Sequence, residues 1–323
     1  MAWILVNRFS EPLHLVVYEA IDIHQHLWPE SLLRALSRRR SAPMLIRRAG
    51  AWTLRLRGEP EAPVDLADHD PERRAALVEA DGLELALIAP SVPLGIEALP
   101  AGEAEPLLAA YHDGVAALGS RFGAWAAVGL AAPDPAALER LLDGGFAGAC
   151  IAADALSSPE GFDRLGPVLE ALERRGAPLL VHPGPAPGGA GSGKPGWWPA
   201  LTHYVAGMQT AWHAFAVWGR PAHPQLRVCF AMLAGLAPLQ RERLVARGGV
   251  AAGDADVFLE ISSYGARAVD ALLREVGVDR LVHGSDRPVG APVELPLGEA
   301  VRTSLRGRNP SRFLFPTPSL VAA

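Results

Sequence analysis

The feature that most constrains this chain is a regular alternation of eight short apolar runs with segments carrying helix or loop signals. The runs fall at about Val16–Ile23, Leu83–Pro90, Phe122–Leu130, Gly145–Ala152, Pro178–His182, Leu226–Met232, Val257–Ser262 and Arg280–Gly284. Continuous apolar runs of this length suit parallel strands covered on both faces. The segments between them are punctuated as helices. Asp70-Pro71-Glu72 offers a cap and a first-turn proline, and Gly82 follows the far end. Ser158-Pro159-Glu160 opens another helix, whose Leu165, Val168, Leu169 and Leu172 form one stripe before Gly176 ends it. Eight such units in 323 residues predict an α/β fold, a single-domain (β/α)8 TIM barrel over residues 16–323, after an N-terminal extension at 1–15. A doubly wound open sheet is the competitor, but no Gly-x-Gly-x-x-Gly follows the first run.

Two stretches exceed the repeat. A long insertion after strand one, between Trp28 and Asp68, contains Arg38-Arg39-Arg40, Arg47-Arg48, Arg55 and Arg57. Loops of this length on a catalytic face serve as lids or substrate walls, and a solvated basic loop is the plain alternative. Gly184–Trp198, rich in glycine and proline, follows strand five and should also border a site.

Composition narrows the function. Half the residues are hydrophobic and the formal net charge is −5, which argues against nucleic acid as a partner. Cys150 and Cys229 both sit in strand-like runs and read as buried thiols in a reducing compartment. No apolar run reaches the roughly 18 residues of a membrane span, and the first residues lack the pattern of a signal peptide. A cytoplasmic location is the expectation.

Barrel sites lie at the C-terminal ends of the strands, so the polar residues closing each run are the candidates. The first run ends in Asp22-Ile23-His24-Gln25-His26. Residues two apart on a strand share a face, so His24 and His26 project together. The fifth ends in His182, and the eighth leads through His283-Gly284-Ser285 to Asp286. Three imidazoles and a carboxylate form a suitable ligand set for one divalent metal ion, with Zn2+ expected and Mn2+ as the alternative.

At these residues the chain resembles the metal-dependent amidohydrolase superfamily, and within it the branch of aminocarboxymuconate-semialdehyde decarboxylase. The resemblance runs from Ile21 to about Leu314. It rests on Ile21-Asp22-Ile23-His24-Gln25-His26, Leu180-Val181-His182-Pro183, Gly284-Ser285-Asp286-Arg287-Pro288 and Asn309-Pro310-Ser311-Arg312-Phe313-Leu314. It implies that His24, His26, His182 and Asp286 hold the metal, and that Asp286 or a neighbouring base handles the proton of an activated water. Related barrels often dimerise, so a homodimer is expected.

One position departs from the family. Strand six there ends in a histidine used for acid–base work, whereas the matching stretch here is Phe230-Ala231-Met232-Leu233-Ala234-Gly235-Leu236-Ala237-Pro238. The thioether of Met232 has no proton to exchange near neutral pH. It can fill core or touch substrate. His203 and His213 are the histidines available to compensate; they lie ten apart, about 15 Å along one helix, so only one can reach the metal. His203 is taken as the catalytic candidate beside Asp286.

The expected reaction is hydrolysis of a small cyclic or aromatic carboxylate, ester or lactone by a metal-activated water. The alternatives are nonoxidative decarboxylation of an aromatic or muconate-type acid, and an impaired, non-catalytic barrel, which Met232 favours. Trp28 and Trp198, with Trp197 and Trp212 nearby, suit a flat substrate. Arg287 is the candidate for a substrate carboxylate, with pairing to an internal acid such as Glu260 as the alternative.

Overall fold

The computed structural model describes residues 4–5, 15–16, 18–187, 194–251, 253–292 and 295–315. Eight parallel strands close into a barrel: β1 (Ile21–Gln25), β2 (Leu85–Ile88), β3 (Phe122–Ala124, resumed at Ala126–Ala127), β4 (Ala149–Ala152), β5 (Leu179–His182), β6 (Val228–Phe230), β7 (Val257–Glu260) and β8 (Leu281–Val282). Each pairs in register with the next, as in Ala86 with Phe122, Ala149 with Leu179 and Leu259 with Leu281. Trp125 interrupts β3 without breaking it. Its N–H donates to the Ile88 carbonyl at 2.9 Å, and its indole N–H to the Ile23 carbonyl at 2.8 Å.

The ring closes between β8 and β1 through the Ile23 N–H on the His283 carbonyl (3.0 Å) and the Asp286 N–H on the His24 carbonyl (2.9 Å). The His26 N–H adds a third bond, to the Arg287 carbonyl at 2.6 Å. The expected run at Val16–Ile23 is displaced. β1 starts at Ile21, and Leu15–Val16 instead pairs antiparallel with Ile4–Leu5. The rest of the predicted extension at 1–15, with His14, lies outside the described residues, as do residues 188–193 of the glycine-rich stretch.

Helices α1 (Glu30–Ser37), α2 (Pro71–Ala80), α3 (Ala101–Ala116), α4 (Pro135–Asp143), α5 (Pro159–Arg175), α6 (His203–Ala214) and α7 (Ala266–Val276) lie along the chain between the strands. Their ends follow the sequence signals. The Asp70 carboxylate caps α2 at the Arg73 N–H, Ser158 caps α5 at the Gly161 N–H, and Gly176 ends α5 with φ of +58°. A last helix, α8 (Asn309–Leu314), seats Phe313 against Trp125 and Phe258, with ring centroids 5.7 and 5.3 Å away. The Asn309 side chain fixes that helix by donating to the Val278 and Leu281 carbonyls. Among the described residues, no helix is long and apolar enough to cross a membrane.

The insertion after β1 is regular structure. After α1 come three antiparallel strands, Met44–Arg48, Ala51–Arg55 and Ala62–Val64. The two-residue turn Ala49-Gly50 has positive φ at both positions, the form that matches hairpin twist. Several arginines are engaged internally: Arg39 pairs with Glu103, Arg48 and Arg55 with Glu61, and Arg47 lies over Trp52. Gly58 brings the insertion onto the loop after β5. A Cβ built there would sit 1.9 Å from the Ala186 carbonyl oxygen, so only glycine allows this approach. Gly58→Ala should detach the insertion while the barrel stays folded. The expected result is faster proteolytic cleavage near residue 58 with a loss of about 1–3 kcal/mol in unfolding stability.

Candidate metal centre

His24, His26, His182 and Asp286 come together at the C-terminal ends of β1, β5 and β8. One ligand atom from each lies within 4.8 Å of the others. His24 Nε2 and His26 Nε2 are 3.2 Å apart, and Asp286 Oδ1 is 3.2 Å from the latter and 3.7 Å from the former. All three histidines are buried, while the Asp286 side chain keeps 14% of its surface exposed, which leaves the approach on that side.

The opposite ring nitrogens decide what the centre can hold. His26 Nδ1 donates to the Ala89 carbonyl at 3.1 Å, His182 Nδ1 to the Pro183 carbonyl at 3.0 Å, and His24 Nδ1 to the Glu260 carboxylate at 3.1 Å. Carbonyl and carboxylate oxygens only accept, so each Nδ1 carries a proton and each ring turns its Nε2 inward, where it offers a lone pair once any proton it holds is displaced. Two Nε2 atoms 3.2 Å apart need a proton or a metal ion between them. The donor set of three imidazole nitrogens and one carboxylate oxygen therefore fits a divalent cation.

The electrostatics follow from this geometry. Burial acts to lower the His24 pKa, but Glu260, Asp286 and Asp22 outweigh it and lift it to about 9. Burial and the neighbouring His24 and His26 press His182 well below its ordinary value. Burial would raise Asp286, yet His26, His24 and His182 hold its carboxyl below the usual carboxylate range.

Further carboxylates lock the ligands. Glu260, at the end of β7, accepts from His24, from the Met232 N–H at 3.2 Å, and from the Ser262 N–H and hydroxyl. Asp22 accepts from the His24 and Ser285 N–H groups and from the Gln25 amide. Neither was assigned a ligand-orienting role from sequence, although a glutamate closing the apolar run Val257–Leu259 was a legible signal. Backbone strain gathers here too. Asp286 has φ of +58° and Ser263, whose hydroxyl is 3.4 Å from Asp286 Oδ2, +65°. Residues 232–236 after β6 run through a left-handed turn with φ between +42° and +65°. Left-handed conformations cost about 1–2 kcal/mol for each non-glycine residue, a strain characteristic of functional sites.

The remaining predicted residues fall as follows. Met232 is buried at the start of the left-handed turn, its N–H bound to Glu260. Trp28 is buried and clamped, stacked on His69 at 4.5 Å with its indole N–H on the Ser91 hydroxyl at 2.8 Å. His203 opens α6 and its Nε2 donates to the Pro185 carbonyl at 3.1 Å. Trp198 lies on the surface with Trp197, 38% and 57% exposed, under Lys194.

Arg287 corrects an expectation. Its Nε and Nη2 grip the Asp81 carboxylate at 2.8–3.1 Å, so the guanidinium is committed inside the protein rather than offered to a ligand. Trp212 packs on Phe230, and with His213 it lines a separate cavity of about 490 Å3 that contains none of the four ligands.

The closed (β/α)8 barrel carries its three-histidine, one-aspartate cluster at the C-terminal ends of the strands. No protein-family model matches the sequence, and no curated protein does. Solved structures do. IDCase of Metarhizium anisopliae aligns at a TM-score of 0.72 with 19% identity, covering 92% of this chain and 97% of that one. The 5-carboxyvanillate decarboxylase of Novosphingobium aromaticivorans, complexed with manganese and 4-hydroxy-3-methoxy-5-nitrobenzoic acid, aligns at 0.72 with 16% identity over 92% and 96%. The 4-oxalomesaconate hydratase of Rhodopseudomonas palustris aligns at 0.66 with 14% identity over 91% and 95%.

Two outcomes follow from the geometry. Glu260→Gln should keep the fold but weaken divalent-metal affinity by about 10–100-fold in chelator competition, because His24 loses its carboxylate partner. Metal must also displace the proton that His24 holds with a pKa of about 9. Affinity should therefore rise about tenfold per pH unit up to that value and flatten above it, measured by the same competition across pH.

Proposed function

We propose that the protein is a metal-dependent enzyme of the amidohydrolase superfamily that decarboxylates a small aromatic or unsaturated carboxylic acid. The observation that carries this reading is the convergence of three Nε2 atoms and Asp286 Oδ1 within 4.8 Å of one another. A divalent cation held there by His24, His26, His182 and Asp286 supplies positive charge for a substrate oxygen. Zinc suits the nitrogen-rich donors, and the manganese in a structural neighbour supports that ion as the alternative. Several neighbours are decarboxylases, acting on 5-carboxyvanillate or 2,6-dihydroxybenzoate, which supports carboxylate chemistry over hydrolysis.

The chain's own residues prepare that chemistry. Glu260 holds His24 in one tautomer and one orientation, and Ser262 keeps Glu260 from turning away. The ordered rings are buried, so water competes little with a substrate for the centre. Decarboxylation requires a proton for the carbon that loses CO2, and Met232 has none to give. That same residue favours the second reading, metal-assisted hydrolysis of an ester or lactone, in which Asp286 takes a proton from water.

Elemental analysis tests the proposal. Wild type supplied with zinc or manganese should retain about one ion per chain, and His182→Ala should lose it. The loaded protein should then release CO2 from hydroxybenzoates and related acids. Ring opening of lactones or release of alcohol from esters, without CO2, would replace the first reading with the second, and absence of bound metal would overturn both.

A further inference from the structure

Three elements meet on residues 184–186 of the loop that follows β5 and its His182. Glu59, next to the Gly58 contact, comes from the insertion after β1. Asp154 comes from the loop after β4, its carboxylate pressed against Gly184, where a Cβ would lie 1.8 Å from Oδ1. His203 and Tyr204 form the first turn of α6. That helix is fixed to the left-handed turn after β6: Gln209 donates to the Gly235 carbonyl at 2.7 Å, and a Cβ on Gly235 would fall 2.7 Å from the Val205 carbonyl oxygen. The turn begins at Met232, so the first turn of α6 is braced against the segment where the family's acid–base histidine is missing.

Across this opening the Tyr204 hydroxyl donates to Glu59 Oε1, joining α6 to the insertion. Tyr204 is half-buried; burial and then Glu59 push its phenol up, and Asp286 is also among the charges that act on it. The groups facing Glu59 are Tyr204 and His203. Burial raises the Glu59 pKa against the pull of both. A half-buried phenol hydrogen-bonded to a half-buried carboxyl stands over the loop that leaves the ligand His182, on the mouth side of the barrel.

We propose that Tyr204 donates the proton that the strand-six histidine gives in related barrels, and that Glu59 resupplies it. The inference rests on the decarboxylase reading above. As the carbon–carboxylate bond breaks, its electron pair stays on the substrate carbon and CO2 leaves. The Tyr204 O–H breaks as the new C–H bond forms. Protonated Glu59 then returns a proton to the phenolate oxygen, and water reprotonates Glu59, so each turnover takes up one proton from solvent. Tyr204 is the catalytic residue in this scheme, and Glu59 acts through it.

The test uses manganese-loaded full-length protein with 4-hydroxy-3-methoxy-5-nitrobenzoic acid as a binding probe. Ligand burial at the mouth should drive Glu59 to take up a proton. Calorimetry in two buffers of different ionisation enthalpy should therefore show proton uptake on binding to wild type and to Tyr204→Phe, and little to Glu59→Gln. Tyr204→Phe should retain metal and bind the probe within about threefold of wild type, yet lose about 10²–10⁴-fold in CO2 release. Glu59→Gln should slow turnover less and lose the fall in rate that wild type shows on the alkaline side. Equal proton uptake by wild type and Glu59→Gln, or wild-type turnover by Tyr204→Phe, overturns the assignment and leaves the metal-enzyme reading standing. Failure of metal-loaded wild type to bind any aromatic acid removes the substrate reading and the inference with it.

Discussion

The seam between the first and last strands is the constraint on which the rest depends. A barrel exists only if β8 pairs with β1, and the bonds that close it run through the ligands themselves. The Asp286 N–H binds the His24 carbonyl, and the His26 N–H binds the Arg287 carbonyl. Asp22 stitches the same seam from below by accepting from His24 and Ser285. Arg74, fully buried, covers it by donating to the His26 carbonyl and the Gln25 amide oxygen. Ring closure brings the His24 and His26 backbone to Asp286, and Glu260 and the Ala89 carbonyl then orient the two rings.

Around that seam, negative groups outnumber what the fold alone requires. Glu260 takes no part in a surface ion pair and is completely buried, yet it accepts four hydrogen bonds. A buried carboxylate is costly unless every lone pair is used. Here the donors come from β1, the turn after β6 and the end of β7, so one side chain ties three parts of the rim. The left-handed course of Met232–Leu236 follows from the same demand. The chain must turn sharply to present the Met232 N–H to Glu260 while clearing Val205 on α6.

Much of this was legible in the sequence because it is written in local patterns. Apolar runs mark strands, Asp70 and Ser158 mark helix starts, and His-x-His falls on one face by strand periodicity. The four residues of the candidate metal site were legible for the same reason, each closing an apolar run. What escaped was decided by distance in space. Arg287 sits beside a ligand, but its partner Asp81 is 206 residues away. Glu59 and Tyr204 are 145 apart and join only because Gly58 lets two loops touch. The insertion carried an arginine-rich composition that hid a short antiparallel sheet, since pairing between its strands leaves no strict periodicity in so brief a stretch. Trp212 was misplaced toward the site because a helix can turn its aromatic face to the outer wall as readily as to the mouth.

The seam also has a consequence for how the protein is made. Asp22 and Ser285 are 263 residues apart, and the cation ligands span nearly the same interval. A chain emerging from the ribosome therefore has no complete metal site until almost all of it is out. The ion cannot nucleate folding as it does in a zinc finger, whose ligands are close in sequence. An ion bound there would act last, binding the closed ring alone and drawing the population toward it by mass action. Metal content would then count finished molecules, and metal supply would set how long the final closure lasts rather than how soon the barrel begins to form.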